Sequence, residues 1–107
     1  MTLARQPITQ GAHRLEPETL AARLAELPGW TLTPDGDAIR RTWRLRDFRQ
    51  AAALANVAAW QAEAANHHPD IAFGWGHASV AFTTHSAKGV TLNDLIMAAR
   101  LNLALPD

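Results

Sequence analysis

Leucines at positions 20, 24 and 27 recur at spacings of four and three, the period of a helix with one apolar stripe. Pro17 suits a first helical position and Pro28-Gly29 stops the run, so a helix is predicted over 17–27. The period then changes. Trp30 to Thr33 and Ala38 to Leu45 flank the turn-forming tetrad Pro34-Asp-Gly-Asp37 and predict a β-hairpin with Ile39, Trp43 and Leu45 on one face. Arg41 shares that parity and goes against the pattern. Asp47 is placed as an N-cap with Gln50 as its capping-box partner, opening an alanine-dominated helix from Phe48 to about Ala65. Alanine has high helix propensity and little bulk, so another surface can approach this helix closely. A second hairpin follows, with Ile71, Phe73 and Trp75 alternating before a turn at Gly74 to His77, and Val80 and Phe82 alternating after it. Thr91-Leu-Asn-Asp94 is a capping-box sequence opening a last helix, with a stripe of Leu92, Leu95, Ile96, Ala99 and Leu103.

The order helix, hairpin, helix, hairpin, helix predicts an α+β fold, a four-stranded antiparallel sheet with three helices packed on one face. The other face is then open to a ligand or partner. Residues 1–13 show no period and read as a flexible N-terminal tail, leaving residues 14–107 as a single domain. A chain of 107 residues buries about 60–65% of its unfolded surface, enough to stand without metal or disulfide staples.

Ten Lys and Arg balance ten Asp and Glu, so the basic excess that binds phosphate backbones is missing and direct nucleic-acid binding is not expected. The absence of cysteine excludes disulfides, thiolate catalysis and Cys-based metal sites. No stretch approaches the roughly 20 apolar residues of a membrane span, and the first residues lack a signal-type apolar core, so no membrane partner and a cytoplasmic location are expected.

Candidate chemistry gathers around the histidines. Glu63 occupies the last turn of the long helix, where the dipole disfavours a carboxylate, and His67 lies four residues on. A carboxylate accepting from one ring nitrogen fixes which tautomer the other presents. The plainer use of Glu63 is a solvated surface charge. His67 and His68 follow at the helix terminus, and Pro69 restrains the residue before it to extended geometry, so the two rings should diverge and grip two sides of a flat polar ligand. His85 shares the parity of Ser79, Ala81 and Thr83, which puts it on the open face of the sheet. His13 and His77 are assigned structural or surface roles. Asp94 is favoured as a structural cap. Trp30, Trp43, Trp60 and Trp75 can stack on a heterocycle, although core packing is the commoner use of tryptophan. A zinc site built from His67, His68 and His85 with Glu63 nearby has suitable ligand types, but diverging rings oppose it.

Taken together, Glu63-x-x-x-His67-His68-Pro69, Trp75, His85 and Asp94 resemble the signature of the pterin-4a-carbinolamine dehydratases. Pro28-Gly29-Trp30, Arg46-Asp47-Phe48 and Thr83-Thr84-His85 before Gly89 extend the resemblance over most of the chain. It implies a hydro-lyase, a 4a-hydroxytetrahydrobiopterin dehydratase, that converts 4a-hydroxytetrahydropterin to quinonoid dihydropterin and water in tetrahydropterin recycling, with no metal or coenzyme. By position it implies His67 and His85 as acid–base residues, His68 as chiefly substrate-binding and Glu63 as the orienting carboxylate. It further implies that Pro69 and Thr84, His85, Ser86 and Ala87 line the pterin. Asn66 and the Asp-Ile-Ala-Phe run after Pro69 depart from many relatives. The resemblance also implies a homodimer or homotetramer, and it supplies an alternative: a non-catalytic interaction module acting as a dimerisation cofactor or transcriptional coactivator.

Overall fold

The computed structural model describes residues 2–105. Helix α1 spans Pro17–Leu24, strand β1 Thr31–Leu32, β2 Ile39–Arg44, α2 Phe48–Ala65, β3 Asp70–Gly74, β4 His77–Phe82 and α3 Leu92–Ala104. The strands form one sheet in the order β1-β2-β4-β3 with every neighbouring pair antiparallel. The α+β architecture expected from the sequence is therefore the one observed, and the two hairpins join through their inner strands, with Ile39 opposite Phe82 and Trp43 opposite Ala78.

Ile39, Trp43, Ala78, Val80 and Phe82 are buried on the covered face, where they meet Leu54 and Ala58 of α2, Leu95, Ala98 and Leu101 of α3, and Leu20 of α1. The alternating strands thus supply one half of the core and the helical stripes the other. Arg41 shares that face without being buried in oil. Its Nη1 donates to Asn102 Oδ1 at 2.6 Å, and its guanidinium lies 4.6 Å from the centroid of the Trp43 ring. Gly29, at φ 87°, leaves the room it needs, since a Cβ there would lie 2.5 Å from Arg41 Nε.

Three boundaries differ from the pattern. α1 stops at Leu24, and Leu27 N–H bonds to Leu24 O at 3.0 Å in a tighter turn, because Pro28 disfavours helical geometry in the residue before it. At the start of α2, Asp47 caps Gln50 N–H at 2.9 Å, while Gln50 Oε1 accepts from Arg46 N–H rather than from the cap residue itself. In α3 the stripe is wider than the period shows. Asn93, Met97 and Ala98 are buried with Leu95 and Ile96, whereas Leu103 is exposed.

The N-terminal residues add to the burial of α3. Instead of a loose tail, residues 2–12 lie along α3, with a 3-10 turn at Leu3–Arg5. Arg100 donates from Nε to Ala4 O at 3.1 Å and from Nη2 to Gln6 O at 2.8 Å. Asn93 exchanges two hydrogen bonds with Thr9. These partners are backbone carbonyls and amides, which is why no hydrophobic period in residues 1–13 announced them.

Candidate active site

The long helix α2 ends at Ala65, and Asn66 takes the left-handed conformation at φ 52° and ψ 41°. His67 N–H then bonds to Ala62 O at 3.2 Å and Asn66 N–H to Glu63 O at 3.3 Å, the paired bonds of a Schellman ending. Asparagine is the side chain other than glycine that best tolerates this geometry, which gives Asn66 a local reason to be here. The reversal sends His67 inward along the helical layer and His68 outward.

His67 is held on two sides. Its Nε2 lies 2.6 Å from Asp94 Oδ1, and its ring stacks on Phe82 at a centroid distance of 6.0 Å and an interplanar angle of 11°. Only 13% of the His67 side chain and none of the Asp94 side chain is exposed. Asp94 Oδ2 accepts from Thr91 N–H at 2.8 Å and from Thr84 Oγ1 at 2.8 Å, and the Thr91 hydroxyl lies 2.8 Å from that of Thr84. An ionised Asp94 only accepts, so Thr84 donates to it and Thr91 donates to Thr84. For the same reason His67 Nε2 carries a proton. Nδ1 is left as the ring atom free to gain or lose one.

The second pair is open to water. His68 Nε2 lies 2.7 Å from Glu63 Oε1, with the two side chains 56% and 77% exposed. The expected pairing of Glu63 with His67 is corrected accordingly. The left-handed turn at Asn66 carries His67 away from the last helical turn and brings His68 back over it, so the carboxylate orienting His67 is Asp94. No spacing rule joins residues 27 apart in sequence, but one signal was present: a capping box aims the Asp94 carboxylate back toward the chain entering α3, the segment that begins at Thr84.

The two rings face different cavities. Glu63, His68 and Pro69 line one of about 490 Å³ together with Trp60 and Ile71 from the α2–β3 side. His67, Thr84 and Ser86 line another of about 290 Å³, to which residues 8–12 also contribute. His85 does not sit on the open face of the sheet as its parity implied. β4 ends at Phe82, Thr84 bridges to Gly89, and residues His85–Ala87 form a 3-10 turn in which His85 is exposed. His85 lines neither of these two cavities, although both its neighbours, Thr84 and Ser86, border that of His67. His13 and His77 are exposed, and of the tryptophans Trp30 and Trp43 are core while Trp60 and Trp75 are 78% and 72% exposed.

Among the described residues no group of three His, Cys, Asp or Glu side chains is placed to hold a metal ion. None of the described helices is long and apolar enough to cross a membrane.

An open antiparallel sheet backed by helices, carrying a buried imidazole–carboxylate pair beside a small polar cavity, defines the class of the chain as an α+β domain. The family model described as pterin 4 alpha carbinolamine dehydratase matches residues 13–104. A protein of Paracoccus denitrificans named "Putative pterin-4-alpha-carbinolamine dehydratase" is 65% identical over 102 residues, covering 95% of each chain. A protein of Azoarcus sp. with the same name is 40% identical over 94 residues, covering 88% of this chain and 80% of the other. Among solved structures, one titled "Crystal structure of transcriptional coactivator/pterin dehydratase from Brucella Melitensis" superposes with a TM-score of 0.79 at 33% identity, over 85% of this chain and 97% of its own. The chain belongs to the pterin 4 alpha carbinolamine dehydratase family, a family of hydro-lyases.

Proposed function

We propose that the chain dehydrates 4a-hydroxytetrahydropterin to quinonoid dihydropterin and water by histidine acid–base catalysis, as a step in tetrahydropterin recycling in the cytoplasm. The observation that carries this reading is the buried His67–Asp94 pair. With Nε2–H committed to the carboxylate, the Nδ1 lone pair takes the proton from the ring nitrogen N5, and Asp94 stabilises the imidazolium that results. His85, presented on the turn whose neighbours border the same cavity, gives a proton to the leaving 4a-oxygen. The C4a–O bond breaks as N5 supplies the electron pair of the new C4a=N5 bond, and water departs. His68, oriented by Glu63, is the binding imidazole, with Pro69 beside it. Thr84, Ser86 and Ala87 present the turn that borders the ring. None of these steps draws on a metal or coenzyme.

The test is the decay of synthetic 4a-hydroxytetrahydropterin with wild type and a His67→Ala, His85→Ala double variant compared side by side. Turnover by the wild type and its loss in a folded variant support the reading; a wild-type rate equal to the uncatalysed one overturns it.

Self-association through α2 belongs to the same proposal. Val57 and Trp60 stand exposed on the outer side of this helix beside Ala53 and Ala64, so a second copy can approach its backbone closely. Light scattering is expected to give a dimer or tetramer at micromolar protein. The same surface, with the coactivator half of the Brucella title, favours a second reading as an interaction module. That reading predicts that the double histidine variant keeps its biological function.

A further inference from the structure

The N-terminal residues do more than cover α3. Residues 8–12 form one wall of the cavity of about 290 Å³ that His67, Thr84 and Ser86 also line. That volume lies at the lower end of the range for small-molecule sites, so each wall decides what fits. The wall is fixed by one side chain. Asn93, only 6% exposed, accepts from Thr9 N–H at 3.1 Å and donates from Nδ2 to Thr9 O at 2.7 Å. It therefore grips the strap by both polar edges of a single peptide position. Asn93 precedes Asp94, so one turn of α3 holds the catalytic imidazole with one side chain and this wall with the next.

Beyond Thr9 the chain turns at Gly11, where φ is 72°. Gln10 and Thr9 are exposed and border the cavity, so with Asn66 and Ser86 its rim is rich in amide and hydroxyl groups. A rim of this chemistry suits a ligand substituent that carries hydroxyls of its own, whereas an alkyl group would gain nothing from it and would desolvate those groups.

We infer that the strap of residues 8–12, held by Asn93, is a specificity wall of the His67 site, favouring a tetrahydropterin whose side chain carries hydroxyl groups over one bearing only a methyl. This rests on the proposed dehydratase reading. Gln10 and Asn93 act on binding alone: the first touches the substituent, and the second is a positioning residue that acts through Thr9.

Steady-state turnover of two synthetic substrates tests the idea, a 4a-hydroxytetrahydropterin with a dihydroxypropyl side chain and one with a methyl in its place. Wild type is compared with Gln10→Ala and with Asn93→Ala, with circular dichroism confirming the fold. The KM for the dihydroxypropyl substrate should rise about fivefold in each variant, the loss of roughly one neutral hydrogen bond. The KM for the methyl substrate and both kcat values should stay near wild type. Equal changes for both substrates, or no change in a folded variant, overturn the wall. Should Asn93→Ala not fold, the exposed Gln10→Ala variant decides alone. A wild type inactive on both substrates overturns the dehydratase reading and this inference with it, whereas an active wild type with an unaltered preference in the variants sinks only the inference.

Discussion

Replacing Asp94 by Asn separates orientation of His67 from the mere presence of its ring. In the wild type the two carboxylate oxygens accept three hydrogen bonds, from His67 Nε2 at 2.6 Å and from Thr84 Oγ1 and Thr91 N–H at 2.8 Å each. An amide has one oxygen to offer. If that oxygen faces Thr91 and Thr84, the NH2 group faces His67, and Nε2 must become an acceptor. If the amide flips, its NH2 meets two donors at once. The first arrangement leaves fewer conflicts, so the ring proton moves to Nδ1 and the atom proposed as the base becomes a donor.

Two consequences follow with different sizes. Charge-assisted bonds become neutral ones inside a fully buried site, a loss of about 2–3 kcal/mol, which lowers Tm by roughly 10–15 °C for a domain of this length. The base is lost as well, and kcat should fall by about 10²–10³, within the usual range for one acid–base group. KM, set by other residues, changes little. The assay pairs turnover kinetics with nitrogen NMR of the His67 ring, whose shifts report which nitrogen is protonated. A folded Asp94→Asn protein with near-wild-type kcat and an unmoved ring proton would refute the assignment of Asp94 as the group that orients His67.

Changes elsewhere should scale with burial and geometry. Asn66→Ala keeps the β-carbon but removes the short polar side chain that makes the left-handed turn tolerable, and should cost about 1 kcal/mol by chemical denaturation, while Asn66→Gly should be close to neutral. Glu63→Gln touches only the exposed pair with His68, so stability should stay within about 0.5 kcal/mol and the effect should appear as a modest rise in KM. In the first hairpin turn, the hydroxyl of Thr33 and then the backbone N–H of Asp37 hold the fully exposed Asp35 carboxyl below its ordinary value of 3.8. A carboxylate depressed by folding stabilises above its unfolded pKa and loses that contribution as pH falls through the folded one. Melting curves of Asp35→Asn should therefore lie slightly below wild type at pH 6 and converge with it under strong acid.

The fold was legible because its signals are local and periodic. Strand alternation at Val80 and Phe82, the stripe of Leu95, Ile96 and Ala99, and the cap at Asp47 each declare an element without reference to distant residues. What stayed hidden is long-range and polar. Thr9 meets Asn93 through backbone atoms that every residue carries, and Arg41 finds Asn102 of α3, 61 residues further along the chain. His85 was misplaced for a related reason: parity holds only while the strand lasts, and β4 ends at Phe82 before the turn at His85–Ala87. Glu63 and the histidines were singled out from sequence as candidates and Asp94 was assigned to a cap alone, but the pairing was not legible, because one left-handed residue exchanges the partners of two adjacent histidines.

That exchange gives the adjacent imidazoles different physics. His67 meets a carboxylate with no exposed surface, in surroundings where an interaction between charges is strengthened and a misplaced proton is costly. His68 meets a carboxylate that is 77% exposed, where solvent screens the pair and either partner can move. A proton-transfer group needs a fixed tautomer and a base whose protonated form is stabilised; a binding group needs reach and a directional donor. The inward ring satisfies the first requirement and the outward ring the second. Asp94 also makes its two roles inseparable, since the same carboxylate caps α3 through Thr91 N–H and orients His67. Mutations that remove it must lower stability and turnover together, whereas those at His68 and Glu63 can alter binding in an otherwise intact domain.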